Sequence, residues 1–453
     1  MNIIIVGAGK VGFTIAKYLS LEDDNITVID KNSVALERIN NNLDAMCVEG
    51  NCTNLKVLLE AGIKKADVVI SVTGSDELNM LCSLAAKKLG AKYTISRVRD
   101  PGYDEEIALL TDAIGIDLAI NPEKITAAEI SRLVRYPSVS SIDAFAGGKV
   151  TLLGFNLSED LHLSGKTLAE THFIKGKAII CGVERNDEVI IPKGDFVLRN
   201  GDKIYLIGEH KSTQELFKTL GRYKKKVKNV MIIGGGKITY YLAKALKKND
   251  VSCKIIESNI EKCNELAELL EDSLIINGDG LDEDLLLSEN IEETESFITL
   301  TGRDEDNIVA SIFANNKNVN NVITKVTRNN YYKIAKNVGI NSIIDPKLIT
   351  ANRILKYVRG VKCRSNYSIE NVYTICNKNA EAIEFIVSKD MKNINCKLKD
   401  IKFRNNCLVA IIVRNNEIII PTGEECMMEN DKVIIISDKP ILDVNDMFKG
   451  GAK

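Results

Sequence analysis

The amino-acid sequence predicts an α/β protein built as a tandem duplication. Each half contains a Rossmann-like lobe with a doubly wound parallel sheet, followed by a small β-rich α+β lobe. Three observations predict this fold class. Segments about 225 residues apart share sequence, short β-branched runs alternate with helical patterns at the start of each half, and each half ends in alternating stretches separated by turn residues.

The repeat is visible in matched segments. "IIIVGAGKVG" (3–12) matches "MIIGGGKIT" (231–239), and "ADVVISVTGSDELN" (66–79) matches "TESFITLTGRDEDN" (294–307). The join lies near the basic stretch "RYKKKVK" (222–228). This stretch is interpreted either as a solvated linker or as a docking patch for an anionic partner or membrane surface.

The alternation in the first half predicts parallel strands joined by right-handed helical crossovers. The predicted strands are 2–6, 26–29, 45–48, 67–72 and 93–96. A helix over 122–137 follows, because a proline stands in its first turn and a second proline closes it. The predicted domains are a first Rossmann-like domain (1–120), a crossover helix (121–140), a first small domain (141–225), a second Rossmann-like domain (228–344), a second crossover helix (345–364) and a second small domain (365–453).

Composition excludes several classes of protein. The chain has 60 basic and 62 acidic residues among 453, so no global field favours nucleic acid as a partner. No signal peptide and no apolar run of about 20 residues is present, which predicts a cytoplasmic chain that does not span a bilayer. The eleven cysteines form no C-x-x-C pair, so buried reduced thiols are expected and no metal site.

A glycine fingerprint follows the first strand. Gly7, Gly9 and Gly12 form G-x-G-x-x-G between a strand and a helix. Gly7 permits the tight turn, Gly9 lets the backbone approach a pyrophosphate, and Gly12 lets the helix pack on the strand. Asp30 ends the second strand, where a carboxylate can accept the ribose hydroxyls and repel a 2′-phosphate. This context favours NAD(H) or another adenosine nucleotide over NADP.

Further loops are expected to meet the same ligand, because open α/β sheets bind at the carboxyl ends of their strands. After the third strand Asn51, Cys52 or Thr53 can border the adenine, and after the fourth strand Thr73 and Gly74 can face the ligand. Asp76 is interpreted either as a helix cap alone or as having a further role as well. After the fifth strand, Arg97 can neutralise a phosphate or form a solvated salt bridge, and Arg99 lies nearby.

The second half repeats most of this set. Gly234 and Gly236 keep the turn and the phosphate approach, Glu257 stands where Asp30 does, and Lys325 replaces Arg97. Thr301 and Gly302 repeat the pair after the fourth strand. Thr239 occupies the position of the third glycine. Since that glycine sets the contact between helix and strand, helix packing is expected to suffer there more than phosphate contact.

No catalytic set accompanies these sites. The three histidines, His162, His172 and His210, all lie in the first small lobe and have no counterparts in the second. An NAD-dependent oxidoreductase needs an acid or base near the nicotinamide and a substrate lobe, and a nucleotide-sensing repressor needs a basic recognition helix. These two classes remain the alternatives to a regulatory binding protein that lacks catalysis.

The quoted segments, together with "VIDKN", "EGNCTN", "SRVRDPGY" and "INPEKITAAEI", resemble the TrkA family of Trk potassium-uptake regulatory proteins, whose domains are called RCK domains. The resemblance covers essentially the whole chain. It implies a cytoplasmic regulator, peripheral at the inner face of the membrane, that assembles as a homo-oligomeric dimer or tetramer ring. The implied partner is a potassium channel or transporter subunit of the TrkH or TrkG type, and the implied ligands are NAD(H) and, in some members, ATP or ADP.

The resemblance also carries the site over by motif, residue by residue. Where the family often has an acid after the glycine of the third-strand loop, this chain has Asn51, while the second half keeps Asp279. The residue types alone do not decide between NAD(H) and ATP at either site. The first implied site is Gly7, Ala8, Gly9, Lys10, Val11, Asp30, Asn51, Cys52, Thr73, Gly74 and Arg97, and the second is Gly234, Gly235, Gly236, Lys237, Ile238, Glu257, Asp279, Thr301, Gly302 and Lys325.

Overall fold

The computed structural model describes residues 1–449, apart from 21–23, 104–110, 112, 136–140, 158–162, 172–175, 187, 220–226, 341, 365–368, 376–379, 440 and 442. The chain divides into two compact units. One unit comprises Met1–Ser131 and Val227–Val358, and the other comprises Arg132–Lys226 and Arg359–Lys453. The two Rossmann-like lobes therefore share one unit, and the two small lobes share the other.

The first Rossmann-like lobe has a six-stranded parallel sheet in the order β3-β2-β1-β4-β5-β6. Its strands are β1 (Asn2–Val6), β2 (Asn25–Asp30), β3 (Met46–Glu49), β4 (Val68–Ser71), β5 (Tyr93–Arg97) and β6 (Leu118–Ile120). Its helices are α1 (Lys10–Leu19), α2 (Ser33–Asn40), α3 (Leu55–Glu60) and α4 (Asp76–Leu89), and α5 (Pro122–Arg135) leads out of the lobe.

The first small lobe is a five-stranded antiparallel sheet in the order β10-β9-β11-β8-β7. Its strands are β7 (Ser141–Phe145), β8 (Val150–Asn156), β9 (Ala178–Arg185), β10 (Glu188–Ile190) and β11 (Lys203–Glu209), and its helix is α6 (His210–Thr219). The guanidinium of Arg185 forms a two-bonded ion pair with the buried Asp202, at 2.7 and 2.8 Å.

The second Rossmann-like lobe repeats the first sheet in the order β14-β13-β12-β15-β16-β17. Its strands are β12 (Asn229–Ile233), β13 (Ser252–Glu257), β14 (Ser273–Asn277), β15 (Ser296–Thr299), β16 (Val322–Lys325) and β17 (Ser342–Ile344). Its helices are α7 (Lys237–Lys247), α8 (Ile260–Leu269), α9 (Glu283–Ser288), α10 (Asp304–Asn316) and α11 (Asn329–Asn337), and α12 (Pro346–Arg364) follows.

The second small lobe is again a five-stranded antiparallel sheet, in the order β18-β19-β22-β20-β21. Its strands are β18 (Ile369–Ile375), β19 (Ala380–Ile386), β20 (Cys407–Arg414), β21 (Glu417–Ile419) and β22 (Lys432–Ser437). Residues of both small sheets, among them Phe145, Tyr205, Ala382 and Ile434, form one buried apolar cluster. The two small lobes of the chain therefore share a core.

The predicted fold class, including the duplication, is confirmed. The five strands predicted in the first lobe are present, and their ends differ from the prediction by at most one residue. The sixth strand, β6, is not among the predictions because three residues are too few to show a pattern. The predicted helix at 122–137 is observed over Pro122–Arg135, and its last two residues lie outside the described part of the chain.

The buried centre of each parallel sheet explains its sequence. In β1, Ile3 to Val6 are all buried, since the strand pairs with β2 on one side and β4 on the other and helices cover both faces. A near-continuous apolar run is typical of such a strand. In the described residues, no helix combines the length and the apolar character that crossing a bilayer requires.

Two candidate nucleotide sites

The glycine turn of the first lobe has the geometry that the fingerprint predicts. Gly7 has φ +108°, and its N–H donates to the Ile29 carbonyl at 2.8 Å. A Cβ on Gly12 would lie 1.8 Å from the Gly7 carbonyl oxygen, so only glycine fits there. Gly9 precedes α1 without a side-chain cap, and a Cβ on it would meet nothing within 4 Å. The space above Gly9 and the first N–H groups of α1 can therefore receive an anion.

The second lobe keeps this turn. Gly234 has φ +99°, and its N–H donates to the Ile256 carbonyl at 2.8 Å. Gly236 precedes α7 without a side-chain cap, and a Cβ there would again enter open space. The expected loss of packing at Thr239 is not observed. Thr239 is fully buried, and its hydroxyl donates to the Gly234 carbonyl at 2.5 Å, so a hydrogen bond replaces the close approach that Gly12 makes.

The strand-end acids hold the glycine turns. Asp30 Oδ2 accepts the Ala8 N–H at 2.6 Å, and Glu257 Oε2 accepts the Gly235 N–H at 2.6 Å. Burial raises the pKa of Glu257, but hydrogen bonds from the Asn259 and Gly235 N–H groups outweigh it and place that pKa below its usual range. Since a carboxylate has about four acceptor positions, each acid can still accept ribose hydroxyls.

The strand-end acid and the residue between the first two glycines of the turn both differ between the lobes. Glu257 is one methylene longer than Asp30, and it faces Gly235 where the first lobe has Ala8. A Cβ on Gly235 would lie 3.0 Å from Glu257 Cγ and 2.6 Å from a terminal methyl of Leu266. Leu266 and Glu257 together therefore favour glycine at position 235, whereas the first lobe has Ala8 beside the shorter acid Asp30.

The loops after the third strands are shaped by their own polar side chains. Asn51 Oδ1 accepts the Thr53 N–H at 3.0 Å, and Asp279 Oδ1 accepts the Leu281 N–H at 3.0 Å, so both shape the turn. Cys52 is buried and packs with the core of the first lobe. The equivalent residue of the second lobe is Gly280, where a Cβ would lie 2.1 Å from Ile233 Cγ2.

The loops after the fourth strands are fixed by a residue that the sequence analysis missed. Asn79 is fully buried; its Oδ1 accepts the Thr73 N–H and hydroxyl, both at 2.7 Å, and its Nδ2 donates to the Arg97 carbonyl at 2.9 Å. Asn307 makes the equivalent bonds to Thr301 and Lys325. The sequence contains a signal for this residue, because an asparagine follows the threonine of the loop by six positions in both halves. A Cβ on Gly74 or Gly302 would meet nothing within 4 Å.

Asp76 has a different role from the predicted helix cap. The Ser75 hydroxyl caps α4 by accepting the Leu78 N–H at 3.2 Å. Asp76 is buried, and its Oδ2 accepts the N–H groups of Arg99 and Asp100 at 2.7 and 2.9 Å. It therefore holds the loop after β5, as Asp304 holds the loop after β16.

The predicted cations lie beside these loops. Arg97 donates to the Thr73 carbonyl, and burial together with Arg99 lowers the pKa of Arg97. Lys325 Nζ donates to the Leu300 carbonyl at 3.1 Å, and burial lowers its pKa. Both groups therefore stand at the carboxyl edge of their sheets, next to the fourth-strand loops.

The two edges also meet each other. Asn121 Nδ2 donates to the Tyr241 hydroxyl at 2.9 Å, and Lys237 Nζ lies 4.0 Å from Asp100 Oδ2. Both contacts join the helix that starts at the second glycine turn to loops of the first lobe. Each candidate site thus has residues of the other lobe at its border.

The histidines, the basic stretch and most of the cysteines lie away from the candidate sites or outside the described part of the chain. His162, His172 and residues 222–226 of the basic stretch are not described. His210 begins α6, with Nδ1 2.9 Å from the Thr151 hydroxyl. The nine described cysteines are free thiols, but Cys396 is exposed rather than buried as expected. The described residues contain no group of three or more His, Cys, Asp and Glu side chains that could hold a metal.

Two glycine turns backed by strand-end acids, each on a doubly wound sheet with a small β lobe after it, define a tandem dinucleotide-fold protein. The TrkA-N domain model matches residues 3–122 and 230–346, and the TrkA-C domain model matches residues 152–221 and 382–444. The chain belongs to the TrkA family, which has a regulatory role in potassium transport.

Curated relatives match over the full length. The Trk system potassium uptake protein TrkA homolog 2 of Methanosarcina mazei is 33% identical, over 99% of this chain and 100% of that protein. The Trk system potassium uptake protein TrkA of Vibrio alginolyticus is 30% identical, over 99% of both chains. Among solved structures, the GsuK channel bound to NAD has a TM-score of 0.64 at 17% identity, covering 96% of this chain and 76% of that chain, which shows the shared fold.

The third glycine position generates a paired prediction. Gly12→Ala should destabilise the chain by about 2 to 4 kcal/mol, because the new methyl overlaps the Gly7 carbonyl. Thr239→Ala should cost about 1 kcal/mol, because one buried hydrogen bond is lost, and Thr239→Ser should restore it. Urea denaturation followed by circular dichroism measures all three. A Gly12→Ala protein as stable as wild type would contradict the geometry.

The matched acid and turn generate a second prediction. Gly235→Ala should destabilise the second lobe by about 2 kcal/mol, since Leu266 and Glu257 leave no room for the methyl. Adding Glu257→Asp recreates the Ala8 and Asp30 pair of the first lobe and should recover about 1 kcal/mol as coupling energy. A double-mutant cycle of unfolding free energies tests this. Strict additivity of the two changes would show that the residues are not matched.

Proposed function

We propose that this chain is the cytoplasmic regulatory subunit of a potassium uptake system. In this proposal it binds NAD(H) or ATP/ADP at two sites and gates a membrane channel or transporter subunit of the TrkH or TrkG type. The observation that carries the proposal is the pair of glycine turns, each with open space above its middle glycine and an acid at the neighbouring strand end. The family assignment supplies the potassium system.

The mechanism needs no catalysis. A nucleotide that binds two lobe arrangements with unequal affinity shifts their populations. The contacts of Asn121 with Tyr241 and of Lys237 with Asp100 run between the lobes at the border of the sites. A ligand at this edge would therefore change the energy of contacts between lobes, and that change would pass to the membrane partner through a homo-oligomeric ring.

The proposal extends what the titles of similar structures say of other proteins. GsuK structures are described as bound to NAD and bound to ADP, and they share the fold of this chain. Those two ligands have an adenosine and a pyrophosphate in common, which are the parts that the strand-end acid and the glycine turn suit. Binding of such ligands by this chain is the part to be tested.

The open glycines provide the sharpest test. Gly9 and Gly236 have φ −63° and −81°, which alanine adopts, and their Cβ atoms would enter open space. Gly9→Ala and Gly236→Ala should therefore change the unfolding free energy by less than about 0.5 kcal/mol. In the proposed complexes each methyl would occupy the path of the pyrophosphate, so each variant should lose nucleotide binding at one site and the double variant should lose it at both.

Isothermal titration with NADH, NAD⁺, ATP and ADP measures binding, and potassium uptake in cells that express the partner subunit measures function. Replacing Asp30 or Glu257 is a poorer test, since both acids also hold the turns. Unchanged binding in the folded double variant would refute the site. Turnover of NADH by the wild type with any substrate would indicate the oxidoreductase alternative.

A further inference from the structure

The two candidate sites differ in charge at one end. In each site the strand-end acid suits the adenosine ribose and the glycine turn suits the pyrophosphate, so the rest of the ligand crosses toward the ends of the fifth and sixth strands. NAD(H) would place its nicotinamide riboside there, while ATP or ADP would place a terminal phosphate near it. The residues at this far edge therefore decide between the two ligands, provided that the proposed nucleotide binding holds.

Equivalent positions at the far edge change charge between the lobes. Asp100 corresponds to Arg328, and Glu123 corresponds to Lys347. The far edge of the first lobe carries three cations, Arg97, Arg99 and Lys124, two acids, Asp100 and Glu123, and the neutral Asn121. That of the second lobe carries three cations, Lys325, Arg328 and Lys347, one acid, Asp345, and the neutral Thr327. The second edge is thus the more positive.

The lysines of the second edge converge with free hydrogen-bonding capacity. Lys347 Nζ donates to the Thr327 carbonyl at 2.6 Å, and Lys325 Nζ donates to the Leu300 carbonyl at 3.1 Å. An ammonium group has three N–H bonds, so further donors are available on each. Burial lowers the pKa of Lys347 against the opposing effect of Asp345, and Lys10 of the first lobe lowers it further. The positive charges of Lys325 and Lys10 thus act on Lys347 or are acted on by it.

The nearby acids hold backbone N–H groups, although their charges also oppose the lowering of the Lys347 pKa by burial, and Arg328 pairs with another acid. The oxygens of Asp304 accept the N–H groups of Thr327 and Arg328, and Asp345 Oδ1 accepts the backbone N–H of Lys347. The Arg328 guanidinium pairs with Glu305 at 3.0 Å. A group with several negative charges, such as a terminal phosphate, is the ligand that the remaining lysine donors suit.

The first edge has a different chemistry. Arg97 Nε and Glu123 Oε2 are buried, and within the described part of the chain neither has a hydrogen-bond partner. The cation that the other lobe contributes here, Lys237, already faces Asp100. A buried donor and a buried acceptor at the same edge suit a neutral group that can both donate and accept, such as a carboxamide. The Glu123 carboxylate would repel a terminal phosphate.

We propose that the two sites of one chain take different nucleotides. The first site takes the dinucleotide NAD(H), and the second site takes an adenine nucleotide with a free terminal phosphate, ADP or ATP. A further difference, Arg38 in the first lobe against Glu265 in the second, lies on the helices after the strand-end acids. This difference therefore affects contacts with the adenosine half of the ligand. Since all these ligands share that half, it does not favour one of them over another.

Single-site proteins test the division. The full-length Gly9→Ala variant keeps only the second site, and the Gly236→Ala variant keeps only the first. Titrated with NADH, NAD⁺, ADP and ATP, the first protein should bind ADP and ATP at least about tenfold more tightly than NADH, and the second protein should show the reverse order. The same order of affinities in both proteins would overturn the division and leave the proposed function standing. No binding by wild type would refute both.

Charge reversals identify the residues responsible. In the Gly9→Ala protein, Lys347→Glu should weaken ATP about tenfold and more at low salt. In the Gly236→Ala protein, Glu123→Lys should strengthen ATP relative to NADH. Lys248→Glu is the matched control, because this exposed lysine follows the far end of α7 and undergoes the same change of charge. If Lys347→Glu changes ATP affinity no more than Lys248→Glu does, the assignment of Lys347 is wrong.

Discussion

The hydrogen bond from the glycine turn to the strand-end carboxylate is the constraint on which the candidate sites depend. Ala8 donates to Asp30, and Gly235 donates to Glu257, both at 2.6 Å. Each bond joins the turn after the first strand to the end of the second strand. With the turn fixed, the first helix begins at the middle glycine, and its first N–H groups point toward the space that a phosphate would fill. The acid thus stabilises the geometry of the candidate site without a bound ligand.

The duplication shows how a close-packed turn changes without losing its geometry. Where the second lobe has a longer acid, it has a glycine in place of Ala8, and where it has Ile233 in place of Val6, it has a glycine in place of Cys52. At Thr239 a hydroxyl makes a hydrogen bond to the carbonyl that a glycine otherwise approaches. Each change of side-chain size is accompanied by a change at a neighbouring residue of the same lobe. In a close-packed interior, even one added methyl group affects the side chains around it.

These exchanges also explain which parts the sequence could predict. The alternation of strands and helices and the glycine turns are local patterns, so the sequence alone predicts them. The burial of Cys52 is not such a pattern, because a residue type in a loop does not tell how far its side chain is buried. Asp76 and Ser75 are adjacent and both can cap a helix, so only the bonds of Asp76 to the loop after β5 separate their roles.

A chain with two unlike sites has a use that two equal sites lack. If both sites took the same nucleotide, their combined occupancy would report one concentration. With different nucleotides, occupancy of each site can favour a different arrangement of the lobes, and the balance then follows the relative levels of the two ligands. Contacts such as that of Lys237 with Asp100 join the lobes beside the sites. Coupling between the sites through these contacts must be reciprocal. A nucleotide that strengthens binding at the other site is therefore itself bound more tightly when that site is filled.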